Sequence, residues 1–174
     1  MASSLLMIVL VAMLLAGAAV GDTCVLPDAS TETFDVTTAH KTWYLQYRYP
    51  SVEMDPLGCL VLTQDPGAAA NQMTLSGAFS KDPSTLITAD VTMEGNRLHC
   101  TYYGKYADLL SADRNLVYGS SDIFIEHLCM STGDEMVFIY TSVPNPSDEL
   151  VNQIWEEVDA RPEVDRSKFQ KVSC

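Results

Sequence analysis

Thr42-Trp43-Tyr44-Leu45-Gln46-Tyr47-Arg48-Tyr49 decides the fold. Its residues have high β propensity, aromatic side chains fall on both faces, and Pro50 stops it, which is how a strand packed on two surfaces reads. The rest of the chain continues as further strands. Cys59 to Thr63 ends at Asp65-Pro66-Gly67, and Gln72 to Phe79 alternates Met73, Leu75, Gly77 and Phe79 against Thr74, Ser76 and Ala78. Leu86 to Met93 turns at Glu94-Gly95-Asn96 into Arg97 to Tyr103, the strongest hairpin signal in the sequence. Leu109 to Gly119 follows, read as bending at Ala112-Asp113-Arg114-Asn115. Then come Asp122 to Met130, a turn at Ser131-Thr132-Gly133-Asp134, and Glu135 to Val143. About eight strands in sequence order with hairpin-length links suit an up-and-down barrel or a sandwich.

Only two segments depart from this pattern. Leu5 to Ala19 is an uncharged apolar run ending in Ala19-Val20-Gly21, so residues 1–21 read as a secretory signal peptide cleaved before Asp22, although no Lys or Arg precedes the run. Near the other end Ser147 is placed to cap a helix with Glu149 in its first turn, and Leu150, Val151, Ile154, Trp155 and Val158 recur at helical spacing. That apolar stripe is expected to lie against the outside of the β body, with Trp155 as packing. Residues 22–174 are then one domain, a length that can bury roughly two thirds of its unfolded surface without metals.

The formal net charge is −13, and residues 1–21 contribute nothing to it. Such a field repels phosphate backbones and anionic lipid, so no nucleic-acid partner and, after signal cleavage, no membrane partner is expected. It mildly favours cationic ligands and, more simply, keeps a concentrated protein soluble. Of the five cysteines, no two have C-x-x-C spacing, and His40, His99 and His127 stand singly, so neither a metal site nor a thioredoxin-like redox site is expected. In an exported chain the odd count suggests two bridges and a free thiol, with the pairing open.

The order of parts over residues 22–174 resembles the lipocalins, in particular the nitrophorin and triabin-like branch of secreted arthropod lipocalins. The resemblance rests on an early cysteine (Cys24), Trp43-Tyr44 opening the first strand, Cys59 opening the second, Cys129 closing the seventh, a helix, and a late cysteine (Cys174). Two family features are absent: Lys41 stands where a Gly usually precedes the Trp, and no Arg follows the last strand. The resemblance implies an all-β fold, an eight-stranded antiparallel up-and-down barrel with the C-terminal helix packed outside. It also implies bridges Cys24–Cys129 and Cys59–Cys174, leaving Cys100 free. Each bridge would close a loop of about a hundred residues, worth at most roughly 4–5 kcal/mol in the chain-entropy model. Nitrophorins hold haem through a histidine on the third strand; the matching stretch here, Leu75-Ser76-Gly77-Ala78, has none, so no haem or other cofactor is expected.

Such a barrel has no free edges and encloses space for one small ligand, lined by alternate side chains. If Trp43 plugs the closed end, strand parity puts Leu45 and Tyr47 inside. By comparison with the nitrophorin pocket, Leu75, Glu126, Leu128, Met130, Met136, Phe138 and Tyr140 face inward as well. One slip in register would invert any of these, and a closed core would use the same residues as filling. Glu126 is the sharpest candidate, because a carboxylate in the apolar run Ile123 to Leu128 needs a partner if it is buried. A cationic amine would supply one; the competing reading points Glu126 outward into solvent. The expected function is that of a secreted, extracellular protein that binds and carries or sequesters a small hydrophobic or amine ligand. The alternative is a storage or protein-interaction role in which the barrel is a scaffold. Catalysis is not expected. An enzyme like the lipocalin-type prostaglandin D synthase would use Cys100, but neighbouring strand residues face opposite sides, so His99 cannot readily activate that thiol.

Overall fold

The computed structural model describes residues 24–34 and 40–174; the expected signal peptide lies outside them. Eight antiparallel strands run in sequence order: β1 (Lys41–Arg48), β2 (Leu60–Pro66), β3 (Gln72–Phe79), β4 (Asp82–Glu94), β5 (Arg97–Tyr103), β6 (Ala112–Gly119), β7 (Ile123–Cys129) and β8 (Glu135–Thr141). Each pairs with the next, and β1 closes the barrel by pairing with both β8 and β2. Closure gives every strand a neighbour on both sides, and it puts one face of each strand inside.

Two elements differ from the sequence reading. The segment from Leu109 does not bend at Ala112 to Asn115; a single-turn helix α1 (Ala107–Leu110) precedes β6, and that stretch is regular strand paired with β5. At the C terminus a ninth strand, β9 (Gln170–Lys171), pairs with Tyr47 and Arg48. Because β2 pairs only with Lys41 to Tyr44, β9 covers the edge of β1 that β2 leaves open.

Helix α2 (Asp148–Asp159) packs outside the barrel. Ser147 caps it by accepting the Leu150 amide, and its stripe buries Ile154 and Val158. Trp155 packs its ring against Tyr47 on β1 and Phe169 on the tail, with centroids at 4.8 and 5.8 Å. Among the described residues no helix is long and apolar enough to cross a membrane.

Two disulfides fasten the chain ends to the wall. Cys24 is joined to Cys129 and Cys59 to Cys174, across 105 and 115 residues, which is the pairing the resemblance implies; Cys100 is free and buried. From Cys24 the N-terminal segment runs along the outside of β6, where Asn115 donates to the Pro27 carbonyl at 2.6 Å, to the β4–β5 turn, where Asn96 donates to the Ser30 and Glu32 carbonyls.

The end of the barrel at the β1–β2, β3–β4, β5–β6 and β7–β8 connections is capped. Met54 from the first of these and Leu110 from α1 are fully buried in the core, as is Phe79, whose ring meets Tyr106 edge-on at 5.1 Å. Asp82 Oδ2 latches this cap by accepting from Tyr106 Oη at 2.6 Å and Lys105 Nζ at 2.7 Å.

A buried ion pair in the barrel interior

Register decides which residues face in. Phe124, Glu126 and Leu128 on β7 stand directly opposite Tyr140, Phe138 and Met136 on β8, and directly opposed residues share a face. Leu45 pairs with Tyr140 and so joins them. A bulge at Gln46 then shifts β1, so that Tyr47 pairs with Ile139 and Arg48 with Phe138. The expectation that Tyr47 lines the interior is therefore overturned: the extra residue inverts strand parity, and Tyr47 turns outward onto Trp155 of α2.

What the interior encloses is small. A cavity of about 20 Å³ lies between Trp43, Met73, Leu75, Val91, Leu98, Cys100, Tyr102, Phe124, Glu126 and Tyr140, with Leu62 and Gln64 completing its wall. That is room for about one water, so the inward side chains largely fill the barrel. Of the residues singled out from sequence, Leu75, Glu126 and Tyr140 line this space. Leu45, Leu128, Met136 and Phe138 share the inward face and are fully buried but do not border the cavity. Met130, buried too, lies past the end of β7 in the turn to β8.

The centre of the interior is charged. Glu126 is 4% exposed, and its Oε1 accepts from Arg114 Nη1 at 2.8 Å and from Tyr140 Oη at 3.3 Å. The partner that a buried carboxylate requires is thus supplied by the chain itself. Arg114, 1% exposed, reaches in from β6, stacks its guanidinium 5.3 Å from the Tyr102 ring centroid, and donates through Nη2 to the Leu110 carbonyl at 2.6 Å. Its Nε has no hydrogen-bond partner among the described residues. Burial opposes the guanidinium charge, but the facing Glu126 carboxylate overcomes it and holds Arg114 well above its usual range. Burial likewise pushes the Tyr102 and Tyr140 hydroxyls up, so both stay protonated.

Sequence reasoning missed Arg114 because its polar neighbours Asp113 and Asn115 suggested a bend. The available signal was parity: Arg114 alternates with Leu116 on a strand, and Leu116 is fully buried.

Cys100 borders the cavity with its thiol pushed up to about 11 by burial, against the partial opposing pull of Arg114. It is therefore a neutral thiol at physiological pH. His99 faces the other side of β5, where Nδ1 lies 2.8 Å from Asp113 Oδ1. Among the described residues no three metal-ligating side chains come together. Trp43 closes the far side of the cavity; its Nε1 donates to Gln64 Oε1 at 3.1 Å and its ring lies 5.6 Å from that of Phe124.

Neither a protein-family model nor a curated protein sequence matches the chain. Solved structures do. Insecticyanin from the tobacco hornworm Manduca sexta superposes with a TM-score of 0.63 at 12% identity, over 86% of each chain. The cockroach allergen Per a 4 gives 0.62 at 15%, over 87% of this chain and 96% of the other. The tryptamine complex of the amine-binding protein of Rhodnius prolixus gives 0.61 at 10%, over 84% and 85%. At such identity the likeness carries architecture, and the architecture is unambiguous: the chain is built on the lipocalin fold.

Proposed function

We propose that this chain is an exported carrier or sequestering protein that takes one small amphipathic molecule into its barrel. The observation that supports this reading is the Glu126 carboxylate and Tyr140 hydroxyl bordering a largely apolar cavity, with Arg114 paired to Glu126 from β6. A barrel needed only as a scaffold is at least as stable with aliphatic filling, since a buried ion pair seldom adds net stability. An internal charge pair beside aromatic walls instead provides the few placed polar groups that orient a guest. Entry requires the cap carrying Leu110 to move, and Arg114, tied to that residue's carbonyl, then moves with it and enlarges the space beside Glu126.

The amine-binding protein of Rhodnius prolixus, which shares the fold, is described with tryptamine bound. In this chain an amine has to displace Arg114 from Glu126, so a neutral amphipathic guest with an apolar ring or chain fits the geometry better. The test is native mass spectrometry of the protein isolated from its source, with titrations of 3-methylindole and tryptamine followed by Trp fluorescence. A retained small molecule, or saturable binding of the neutral indole with weaker binding of tryptamine, is the expected result. A barrel that is empty on isolation and binds neither probe overturns the reading. The small cavity favours one alternative for that case, a protein-interaction or storage role in which the barrel is a scaffold and the acidic surface acts.

A further inference from the structure

A second hollow lies outside the barrel cavity, and it is basic in a chain where 23 acidic residues outnumber 10 basic ones. Its walls come from the end of β1 (Arg48), the β1–β2 connection (Asp55, Gly58), the β3–β4 turn (Lys81) and the C-terminal strap (Lys171); it is open to solvent and has a volume of about 310 Å³. With so many carboxylates available, most basic side chains here find one: Lys105, Arg114, Arg161, Arg166 and Lys168 are all ion-paired. Lys81 and Lys171 are exposed and, among the described residues, form no direct ion pair, although the Lys81 charge lies near enough to Asp55 to help lower its carboxyl.

The floor of the hollow is built rather than incidental. Arg48 is 5% exposed, and its Nη1 donates to Asp55 Oδ1 at 2.6 Å and to the Tyr49 carbonyl at 3.3 Å. Its Nε is buried without a hydrogen-bond partner among the described residues. Arg48, Lys81 and Lys171 against Asp55 leave a local excess of two positive charges. Asp55 is already engaged, since its bond to Arg48 holds its carboxyl below the usual range.

The surrounding backbone fixes this arrangement. Lys171 is placed by β9, whose pairing with β1 is extended by the Val172 amide donating to the Gln46 carbonyl at 2.8 Å, and the Cys59–Cys174 bridge anchors the strap. Lys81 is held by its amide to the Leu57 carbonyl at 3.2 Å and packs over Gly58. A Cβ at Gly58 would come within 2.5 Å of Ser80 Oγ and 3.1 Å of Lys81 Cγ, and Gly58 has φ +77°, so no other residue serves well there.

We propose that this hollow binds a tetrahedral oxyanion, a phosphate or sulfate group, between the Arg48 guanidinium and the ammonium groups of Lys81 and Lys171. Guanidinium and ammonium donors around one anion form charge-assisted hydrogen bonds, which are about twice as strong as neutral ones. The group could arrive as the free anion or at the end of a phosphomonoester, and two probes separate these sources. The full chain is titrated with inorganic phosphate and with phenyl phosphate at constant ionic strength, following the backbone amide NMR signals. Saturable 1:1 shifts centred on Gly58, Lys81 and Lys171 are expected; equal affinities mark a free-anion site, and tighter phenyl phosphate marks a phosphomonoester site. Lys81→Gln/Lys171→Gln, which removes no buried group, should weaken binding at least tenfold, and Arg48→Lys should weaken it while keeping the charge. Shifts spread over all surface lysines, no saturation with either probe, or unchanged affinity in the double lysine variant overturns the proposal. The site shares no wall residue with the barrel cavity, so its failure and that of the carrier reading are separately visible.

Discussion

Replacing Arg114 by Met while Glu126 remains should be among the most damaging single changes in this protein. Side-chain exposure is 1% for Arg114 and 5% for Glu126, so removing the guanidinium strands a carboxylate that, among the described residues, has only Tyr140 Oη, 3.3 Å away, to hold it. Breaking a pair buried this deeply costs about 3–5 kcal/mol, mostly as the penalty of the orphaned charge. For a domain of this length that is a fall of roughly 6–20 °C in Tm at about 2–4 °C per kcal/mol. Glu126→Leu alone should cost a similar amount, because it orphans Arg114 instead. The double variant Arg114→Met/Glu126→Leu removes both charges and fills the same space, and should lie within about 1 kcal/mol of wild type or be up to ~1–4 kcal/mol more stable. Urea unfolding of the disulfide-intact protein, followed by Trp fluorescence and checked by far-UV circular dichroism, closes this cycle. A double variant that loses the sum of the two single losses, or single variants that each lose less than about 1 kcal/mol, would show that the pair is not desolvated and refute the reasoning.

Three further outcomes are expected. His127 is 3% exposed, and among the described residues neither ring nitrogen makes a hydrogen bond, although Nε2 lies 3.2 Å from Glu135 Oε1 outside hydrogen-bond geometry. Burial lowers its pKa against the pull of Glu135, so below about pH 6.5 the unfolded chain takes up a proton that the folded one refuses; stability should fall from pH 7 towards pH 5, and His127→Gln should flatten that slope in pH-dependent urea melts. Asp82→Asn removes the carboxylate that Lys105 and Tyr106 grip, so amides 104–111 should exchange hydrogen faster while global Tm barely moves; unchanged local exchange would count against the latch. Gly77→Ala would drive a Cβ to within 1.9 Å of the Val61 carbonyl oxygen across the β2–β3 pair, costing on the order of 1–3 kcal/mol by thermal melting.

The architecture was legible because it is written in features that tolerate a residue of error. The strand runs, the Glu94-Gly95-Asn96 turn and the Ser147 cap are local signals, and the bridge pattern came with the family resemblance. The interior demanded more. Parity from Trp43 places Leu45 correctly but fails at Tyr47, because nothing in Leu45-Gln46-Tyr47 announces a bulge. Sequence left both orientations of Glu126 open, since one residue cannot reveal whether a partner waits across the barrel; Arg114 stands 12 positions away on the neighbouring strand. The ninth strand is two residues long and pairs where β2 has left β1, a fact of closure and of the Cys59–Cys174 bridge rather than of local propensity.

Both covalent fastenings sit at the same end of the tube. Cys129 closes β7 just before the turn to β8, and Cys59 lies just ahead of β2 beside the capping loop. The opposite end, floored by Trp43, depends on packing and hydrogen bonds alone. Surroundings that reduce disulfides would therefore release the chain ends from the capped end of the tube and leave the Trp43 floor with all of its fastenings.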